Sequence, residues 1–316
     1  MLTGGTGSFG RRFTERLLKH HQPRALRIFS RDELKQLEME KAYRDPRLRF
    51  FLGDVRDRDR LMRAATGADI IVHAAALKQV PACEYNPIEA VKTNILGAAN
   101  IIDAAIDRQV KHVLALSTDK AVNPVNLYGA TKLCAEKLFI QGNSYAGGVE
   151  TRFACVRYGN VVGSRGSVVP MFRDAAKTGS EITLTDERMT RFWITLDKGV
   201  DFVLSCTARM RGGEIFVPKI PSMKLVDLAE AVAPKCPRKI VGIRPGEKLH
   251  EVLLTEDESR HAQEFPDRYL IEPEHPWWGL TEGAPEGTRL PANFRYASDN
   301  NPEWLSVPEL QAMLAE

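Results

Sequence analysis

Thr3-Gly4-Gly5-Thr6-Gly7-Ser8-Phe9-Gly10 stands at the head of the chain and sets glycines at positions 4, 7 and 10. Glycine permits a sharp turn and a close backbone approach to a pyrophosphate. A helix starting at about Phe9 then offers its free N–H groups and positive end to the phosphates. The spacing alone also fits a plain glycine-rich turn. What separates the two is the continuation: a helical stretch from Phe9 to His20, then the apolar run Leu26-Arg27-Ile28-Phe29, at the distance a strand–helix–strand unit requires.

The alternation continues outward from this stretch. Strands are expected at Leu48 to Leu52, Ile70-Ile71-Val72, Val113 to Leu116 and Phe153 to Tyr158. Helices are expected at Arg31 to Tyr43, Asp57 to Thr66, Pro87 to Arg108 and Asn126 to Tyr145. This order implies an α/β fold, a doubly wound parallel (Rossmann) sheet with right-handed crossovers. After about Val161, Pro and Gly punctuate shorter elements. The expected organisation is a dinucleotide-binding domain over 1–162 with a returning segment near 190–217, and a smaller, mainly substrate-binding unit over 163–316.

Composition narrows the function classes. The 316 residues carry 44 basic and 41 acidic side chains, a net charge of +3, with no run of five or six like charges. That argues against a nucleic-acid partner. Mean hydropathy is −0.27, and no stretch of 18 apolar residues would span a membrane. The five cysteines are scattered without CxxC spacing, which reads as free thiols in a cytoplasmic protein. The seven histidines show no metal-ligand spacing, and no metal is expected.

The second strand ends Ile28-Phe29-Ser30-Arg31, where an NAD-preferring domain places an acid for the ribose 2′-OH. Ser30, Arg31 and nearby Lys35 suit a 2′-phosphate instead, so NADP is the expected cofactor. Asp32 is the competing feature, as that acid or as a helix cap. In Gly53-Asp54-Val55, Asp54 accepts from an adenine amino group with Val55 beside it, or the stretch is an ordinary turn. Ala74, Ala75 and Ala76 end the fourth strand and are small enough for a dinucleotide to lie on the backbone. They suit helix–strand packing equally well.

Tyr128-Gly129-Ala130-Thr131-Lys132 puts a phenol and an ammonium on one helix face at i, i+4 spacing. A neighbouring ammonium and an oxidised nicotinamide favour the phenolate, a base for a hydroxyl proton while hydride leaves the same carbon. Just upstream, Ser117-Thr118-Asp119-Lys120 ends the fifth strand, at the sheet edge where ligand crevices form. A plain reductase or 4-epimerase needs no further acid and base. Asp119 and Lys120 supply them, as proton removal from one carbon and water loss from the next require. A surface turn with a weak ion pair is the alternative.

On Gly4 to Gly10, Ser117 to Lys120 and the Tyr128/Lys132 pair, the chain resembles the extended short-chain dehydrogenase/reductases. Further stretches resemble the inverting UDP-N-acetylglucosamine 4,6-dehydratases (5-epimerising) that open pseudaminic acid biosynthesis. These are Phe29 to Gln36, Leu116 to Asn123, Arg157 to Pro170, Met189 to Thr195, Gly213 to Met223 and Ile243 to Glu251. Capsular-sugar enzymes share much of this, while Tyr296 to Asn301 looks closer to the flagellin-glycosylation branch. The resemblance implies bound NADP+ and oxidation of the sugar C4 by Tyr128 with Lys132 and Thr118. Lys120 would take the C5 proton, Asp119 would protonate the departing C6 hydroxyl, and C5 would be reprotonated from the opposite face. It also implies contacts of Asn160, Arg165, Ser167 and Val168 with UDP, and of Arg191 and Arg244 with the diphosphate. Lys78 and Glu247 fall near the substrate, and a homo-oligomer, up to a hexamer, is expected. The rival readings are a 4-epimerase and a non-catalytic NADP sensor.

Only Met1-Leu2-Thr3 precede Gly4, where a first strand of this fold usually supplies about five or six apolar residues. The expectation is a natural start further upstream, or a short strand and a less stable cofactor loop.

Overall fold

The computed structural model describes residues 1–162, 168–274 and 287–315. Through residue 156 the elements run β1 (Leu2–Thr3), α1 (Ser8–His20), β2 (Leu26–Ser30), α2 (Glu33–Tyr43), β3 (Leu48–Leu52), α3 (Arg58–Ala65), β4 (Ile70–His73), α4 (Val80–Tyr85), α5 (Pro87–Val91), a π-helical turn (Lys92–Leu96), α6 (Gly97–Asp107), β5 (His112–Leu116), a 3-10 turn (Asp119–Ala121), α7 (Leu127–Tyr145) and β6 (Arg152–Val156). The later elements are β7 (Asn160–Val161), α8 (Val168–Thr178), β8 (Ile182–Leu184), β9 (Thr190–Ile194), α9 (Leu196–Arg209), β10 (Ile215–Pro218), β11 (Ser222–Lys224), α10 (Leu225–Val232), β12 (Arg238–Ile240), β13 (Val252–Leu254), α11 (Glu256–Ser259), β14 (Ala262–Glu264), β15 (Arg268–Ile271), β16 (Thr288–Arg289), β17 (Tyr296–Ala297) and α12 (Val307–Ala315).

Ten strands form one sheet in the order β16-β14-β15-β10-β6-β5-β4-β1-β2-β3. From β3 to β10 every pairing is parallel, and β15, β14 and β16 extend the edge antiparallel. This is the doubly wound α/β architecture. Strand order reverses beside β1, which pairs with β2 at Leu2–Ile28 and with β4 at Leu2–Val72. The crevice at that reversal is the ordinary ligand position of such sheets. The inner strands are buried on both faces, so they read as continuous apolar runs. Leu2, Ile28, Val113 and Phe153 are fully enclosed, each burial contributing about 1.5–3 kcal/mol.

Two local departures from the sequence reading matter for the site. The stretch Pro87 to Arg108, read as one helix, is interrupted by the π turn. There Asn94 holds the loop after β4: it accepts from the Leu77 N–H (2.8 Å) and donates to the Leu77 carbonyl (2.9 Å) and to Thr131 Oγ1 (2.9 Å). α4 is an element for which the sequence offers no periodicity, with Pro81 in its first turn and only six residues. Within 190–217, β9 lies in a separate three-stranded sheet with β11 and β7, α9 packs on α1, and β10 enters the main sheet beside β6. The main sheet also draws β14, β15 and β16 from beyond residue 260. Among the described residues, no helix is long and apolar enough to cross a membrane.

Candidate active site

A cleft of about 1580 Å³ runs along the carboxyl ends of β1 to β5 and on against α8, β9 and the 244–251 segment. At its floor the glycine loop turns as the motif requires. Gly4 has φ +67°, and a Cβ there would lie 2.9 Å from the Ala74 backbone. A Cβ on Gly10 would stand 2.3 Å from the Gly5 carbonyl oxygen. Gly7 caps α1 without a side-chain acceptor, and the first turn of α1 holds no acid. Thr6, Gly7, Ser8 and Phe9 all line the cleft. An uncapped, 13-residue helix whose start faces a cleft fits a pyrophosphate. Thr3 Oγ1 fastens this loop to the end of β4. It lies 2.8 Å from His73 Nδ1 and accepts from the Ala74 and Ala75 N–H groups. Burial, then the Lys132 charge, depress His73 to about 3, so its imidazole is neutral.

At the tip of β2, Ser30 is buried and accepts from Gln36 Nε2 (3.0 Å). Asp32 caps α2 by accepting from the Lys35 N–H (3.0 Å) and pairs with the Lys35 ammonium. Its carboxylate is therefore committed to the helix. Arg31 is exposed, 3.5 Å from Asp54 Oδ2, whose closer partner is Arg56 (2.7 Å). Arg31, Lys35, Asp54, Val55, Ala74, Ala75 and Ala76 all line the cleft.

Asp119 and Lys120 open the 3-10 turn after β5, Thr118 caps it, and Tyr128 and Lys132 face them from α7. Two features seat that helix. A Cβ on Gly129 would sit 2.1 Å from the Lys120 carbonyl oxygen, so only glycine admits the contact. Asn126 caps α7 through the Gly129 N–H (2.8 Å) and donates to the Gly246 carbonyl (2.8 Å), tying the helix to the Arg244 loop. Asp119 is fully enclosed behind the cleft wall. Its Oδ1 accepts from Thr118 Oγ1 (2.9 Å) and Lys120 Nζ (3.0 Å), while buried Oδ2 has no partner among the described residues. Burial raises the Asp119 carboxyl above its usual range. Burial also works against the Lys120 ammonium, but Asp119 and Glu251 outweigh it and hold Lys120 above the usual lysine range. Tyr128 is pushed up to about 12 by burial, opposed by the Lys120 charge and the Thr118 hydroxyl. Lys132 donates to the Leu116 carbonyl (2.7 Å), and burial lowers its ammonium.

On the opposite wall, Asn160 presents a buried Oδ1 without a partner among the described residues, and Val168 starts α8. Arg165 and Ser167 lie outside the described residues. The Arg191 guanidinium is mostly engaged, donating to the Thr190 and Leu249 carbonyls (2.7 and 3.1 Å). Arg244 is exposed, with no side-chain partner among the described residues, and Glu247 Oε2 lies 3.4 Å from its N–H. Lys78 lines the cleft, where the walls and the Lys120 charge lower its ammonium. The cleft also gathers residues the sequence reading did not single out: Thr93, Tyr158, Lys248 and Glu251. Lys248 and Glu251 fall in the Ile243 to Glu251 stretch and stand at i, i+3 spacing, the local signals that mark them.

A profile described as "Polysaccharide biosynthesis protein" matches residues 1–273. The chain is 53% identical to a UDP-N-acetylglucosamine 4,6-dehydratase (inverting) of Campylobacter jejuni, over 98% of this chain and 95% of that one. It is 40% identical to a UDP-glucose 4-epimerase of Rickettsia akari, over 99% and 94%. The X-ray structure of Pen from Bacillus thuringiensis superimposes with a TM-score of 0.91 at 39% identity, covering 99% of this chain and 96% of that one. The chain belongs to the polysaccharide biosynthesis protein family, within the extended short-chain dehydrogenase/reductases.

Proposed function

We propose that this protein is an NADP-dependent UDP-N-acetylglucosamine 4,6-dehydratase that inverts C5 and releases UDP-2-acetamido-2,6-dideoxy-L-arabino-hexos-4-ulose. The observation that carries this reading is the Asp119–Lys120 pair, 3.0 Å apart beside Tyr128, with Lys120 on the wall of the dinucleotide cleft and Asp119 enclosed directly behind it. It is the acid and base that a 4-epimerase does not need, and the near full-length identity to an inverting dehydratase supports it.

The dinucleotide, when bound along the glycine loop and the β2 tip, would supply a hydride acceptor for C4 and a hydride donor for C6. Tyr128 takes the C4 hydroxyl proton, with Thr118 and Lys132 as its polar surroundings. The ketone acidifies the neighbouring C5–H. Lys120 takes that proton and Asp119 gives one to the departing C6 hydroxyl, which leaves as water. Across 3.0 Å a proton passes between Lys120 and Asp119. Burial raises the Asp119 carboxyl and so favours its taking that proton, while the Asp119 and Glu251 charges hold it on Lys120 in the resting pair. A proton delivered to the opposite face of C5, in place of the one Lys120 removed and matched by the one Tyr128 took from the C4 hydroxyl, completes the inversion. Ser30, Arg31 and Lys35 receive the 2′-phosphate. Asn160, Val168, Arg165 and Ser167 receive UDP, with Arg244 better placed than Arg191 for the diphosphate.

Incubation with UDP-N-acetylglucosamine and no added cofactor should give a 4-keto product lighter by one water. Absence of that mass change, with dinucleotide shown to be bound, overturns the reading. Asp119→Asn and Lys120→Ala should stop turnover, whereas an epimerase would survive both. The same reading places the product in pseudaminic acid biosynthesis for flagellin glycosylation. It also places the enzyme in the cytoplasm, in keeping with five free cysteines. Large apolar side chains exposed on α4 to α6, among them Tyr85, Ile88 and Leu96, support a homo-oligomer. Light scattering should give a multiple of 35.3 kDa, up to six, and a monomer would count against it.

A further inference from the structure

Glu251 lies outside the catalytic motifs, yet it stands at the centre of the charged cluster. Its side chain is 3% exposed. Oε1 is 3.4 Å from Lys120 Nζ and 3.7 Å from Arg191 Nε, and Oε2 is 3.6 Å from Lys248 Nζ. Oε2 is buried and has no hydrogen-bond partner among the described residues. Burial opposes its charge, but Lys120, Arg191 and Lys248 overcome that and hold it ionised. Its backbone is locked from the far end of the chain. The Glu251 N–H donates to Ser298 Oγ (2.9 Å), and the Ser298 N–H donates to the Glu251 carbonyl (2.8 Å). Ser298 Oγ also lies 2.7 Å from Thr190 Oγ1, which lies 2.8 Å from His250 Nδ1.

The distances divide the labour around Lys120. Asp119 is at hydrogen-bond length (3.0 Å), while Glu251 at 3.4 Å is longer than the usual 2.7–2.9 Å of a charge-assisted bond. Glu251 therefore attracts the ammonium without capturing its donors. Were its charge absent, Lys120, Lys248 and Arg191 would face one another with Asp119 as the remaining carboxylate. An incoming diphosphate would then compete for Lys120.

We propose that Glu251, seated by Ser298, is a positioning residue for the Asp119–Lys120 pair, holding Lys120 against Asp119 rather than letting it turn to the anionic groups of the substrate. The proposal rests on the dehydratase reading. It makes the tail segment Tyr296 to Asn301 part of the catalytic apparatus. Lys120 is faced by Asp119 on its own turn, Tyr128 from α7, Lys78 from the loop after β4, Arg191 from β9, and Lys248 and Glu251 ahead of β13. Of these, Asp119 and Glu251 hold its proton on. The working pair carries one proton shared between Asp119 and Lys120, and Glu251 favours a second, so the rate rises with pH along an acid limb as the doubly protonated pair loses one. Removing the Glu251 charge eases loss of that proton and moves the limb to lower pH.

The test is the pH profile of kcat/KM for dehydration of UDP-N-acetylglucosamine by the intact protein and by Glu251→Gln. The expected result is an acid limb about one unit lower, with kcat down about tenfold or more. Glu251→Asp, which restores the charge at shorter reach, should return the limb part way. An unmoved limb overturns the proposal even if kcat falls, since a purely structural carboxylate lowers kcat without moving it. If Glu251→Gln does not fold by thermal melt, Ser298→Ala carries the test: a smaller shift in the same direction supports the proposal and no shift overturns it. If the unaltered protein releases no water from this substrate, the dehydratase reading itself fails and this inference falls with it.

Discussion

At the scale of single residues, the choice between two dinucleotides turns on who holds Asp32. Its carboxylate caps α2 and pairs with Lys35, so the one acid at the β2 tip is occupied while Arg31 stays exposed to the cleft. A guanidinium so placed favours a phosphate over a hydroxyl. Arg31→Ala should weaken NADP about tenfold or more while leaving NAD nearly unchanged, a loss typical of one charge-assisted contact. Titration of the apoprotein with each dinucleotide measures it, and equal losses for both would remove Arg31 from the 2′-phosphate site. Residues of this kind were legible in the sequence because their chemistry is local. Gly4, Gly7 and Gly10 mark a tight turn ahead of a helix by their spacing, and Tyr128 and Lys132 share a helix face. Glu251 was not legible, because its partners Lys120 and Arg191 sit 131 and 60 positions away and meet it only after the chain has folded.

At the scale of elements, the geometry of the candidate site depends on how closely α7 approaches the 3-10 turn. Gly129 sets that approach, with its absent Cβ standing 2.1 Å from the Lys120 carbonyl. Gly129→Ala should push Tyr128 away from Thr118 and Lys120. It should cost about 1–3 kcal/mol of stability, as overpacking does, and lower kcat more than it weakens dinucleotide binding. Thermal melts with kinetics on the same preparation would show it, and unchanged kcat would mean the two elements slide apart freely. The elements themselves were mostly readable: α1, α2, α3 and α7 and the five parallel strands β2 to β6 fall close to where hydrophobic periodicity puts them. The π turn was not, since Lys92 to Leu96 keeps a helical pattern while one wider turn carries Asn94 to Leu77. Nor were β13 and β17, whose strength lies in pairing with each other rather than in either sequence.

At the scale of the whole molecule, one buried arginine joins α7 to the later half of the chain. Arg157 is 1% exposed, pairs with Glu136 of α7 (2.9 Å) and with Glu258 of α11 (3.0 Å), and donates to the Leu253 carbonyl (3.0 Å). Arg157→Met would leave two carboxylates enclosed without a counter-charge and should cost about 3–5 kcal/mol, read as a lowered Tm. The pH dependence has a definite sign. Burial raises Glu258, but Arg157 more than offsets it, and the net shift is downward. The stability Glu258 contributes is therefore present above the ordinary glutamate range and is lost as pH falls through its lowered value. The Met variant should lose that acid sensitivity, and a variant melting like the parent from neutral pH downward would show the triad to be idle.

The Ser298–Glu251 lock has a consequence for synthesis. The dinucleotide loop, the Thr-Asp-Lys turn and the tyrosine helix all lie within the first 145 residues, so a growing chain assembles them early. Glu251 is made much later, and its anchor Ser298 later still. A nascent chain still lacking its last segment would thus hold a cofactor site without a set proton-transfer cluster. Ribosome-tethered chains of graded length should acquire dinucleotide retention well before they acquire turnover.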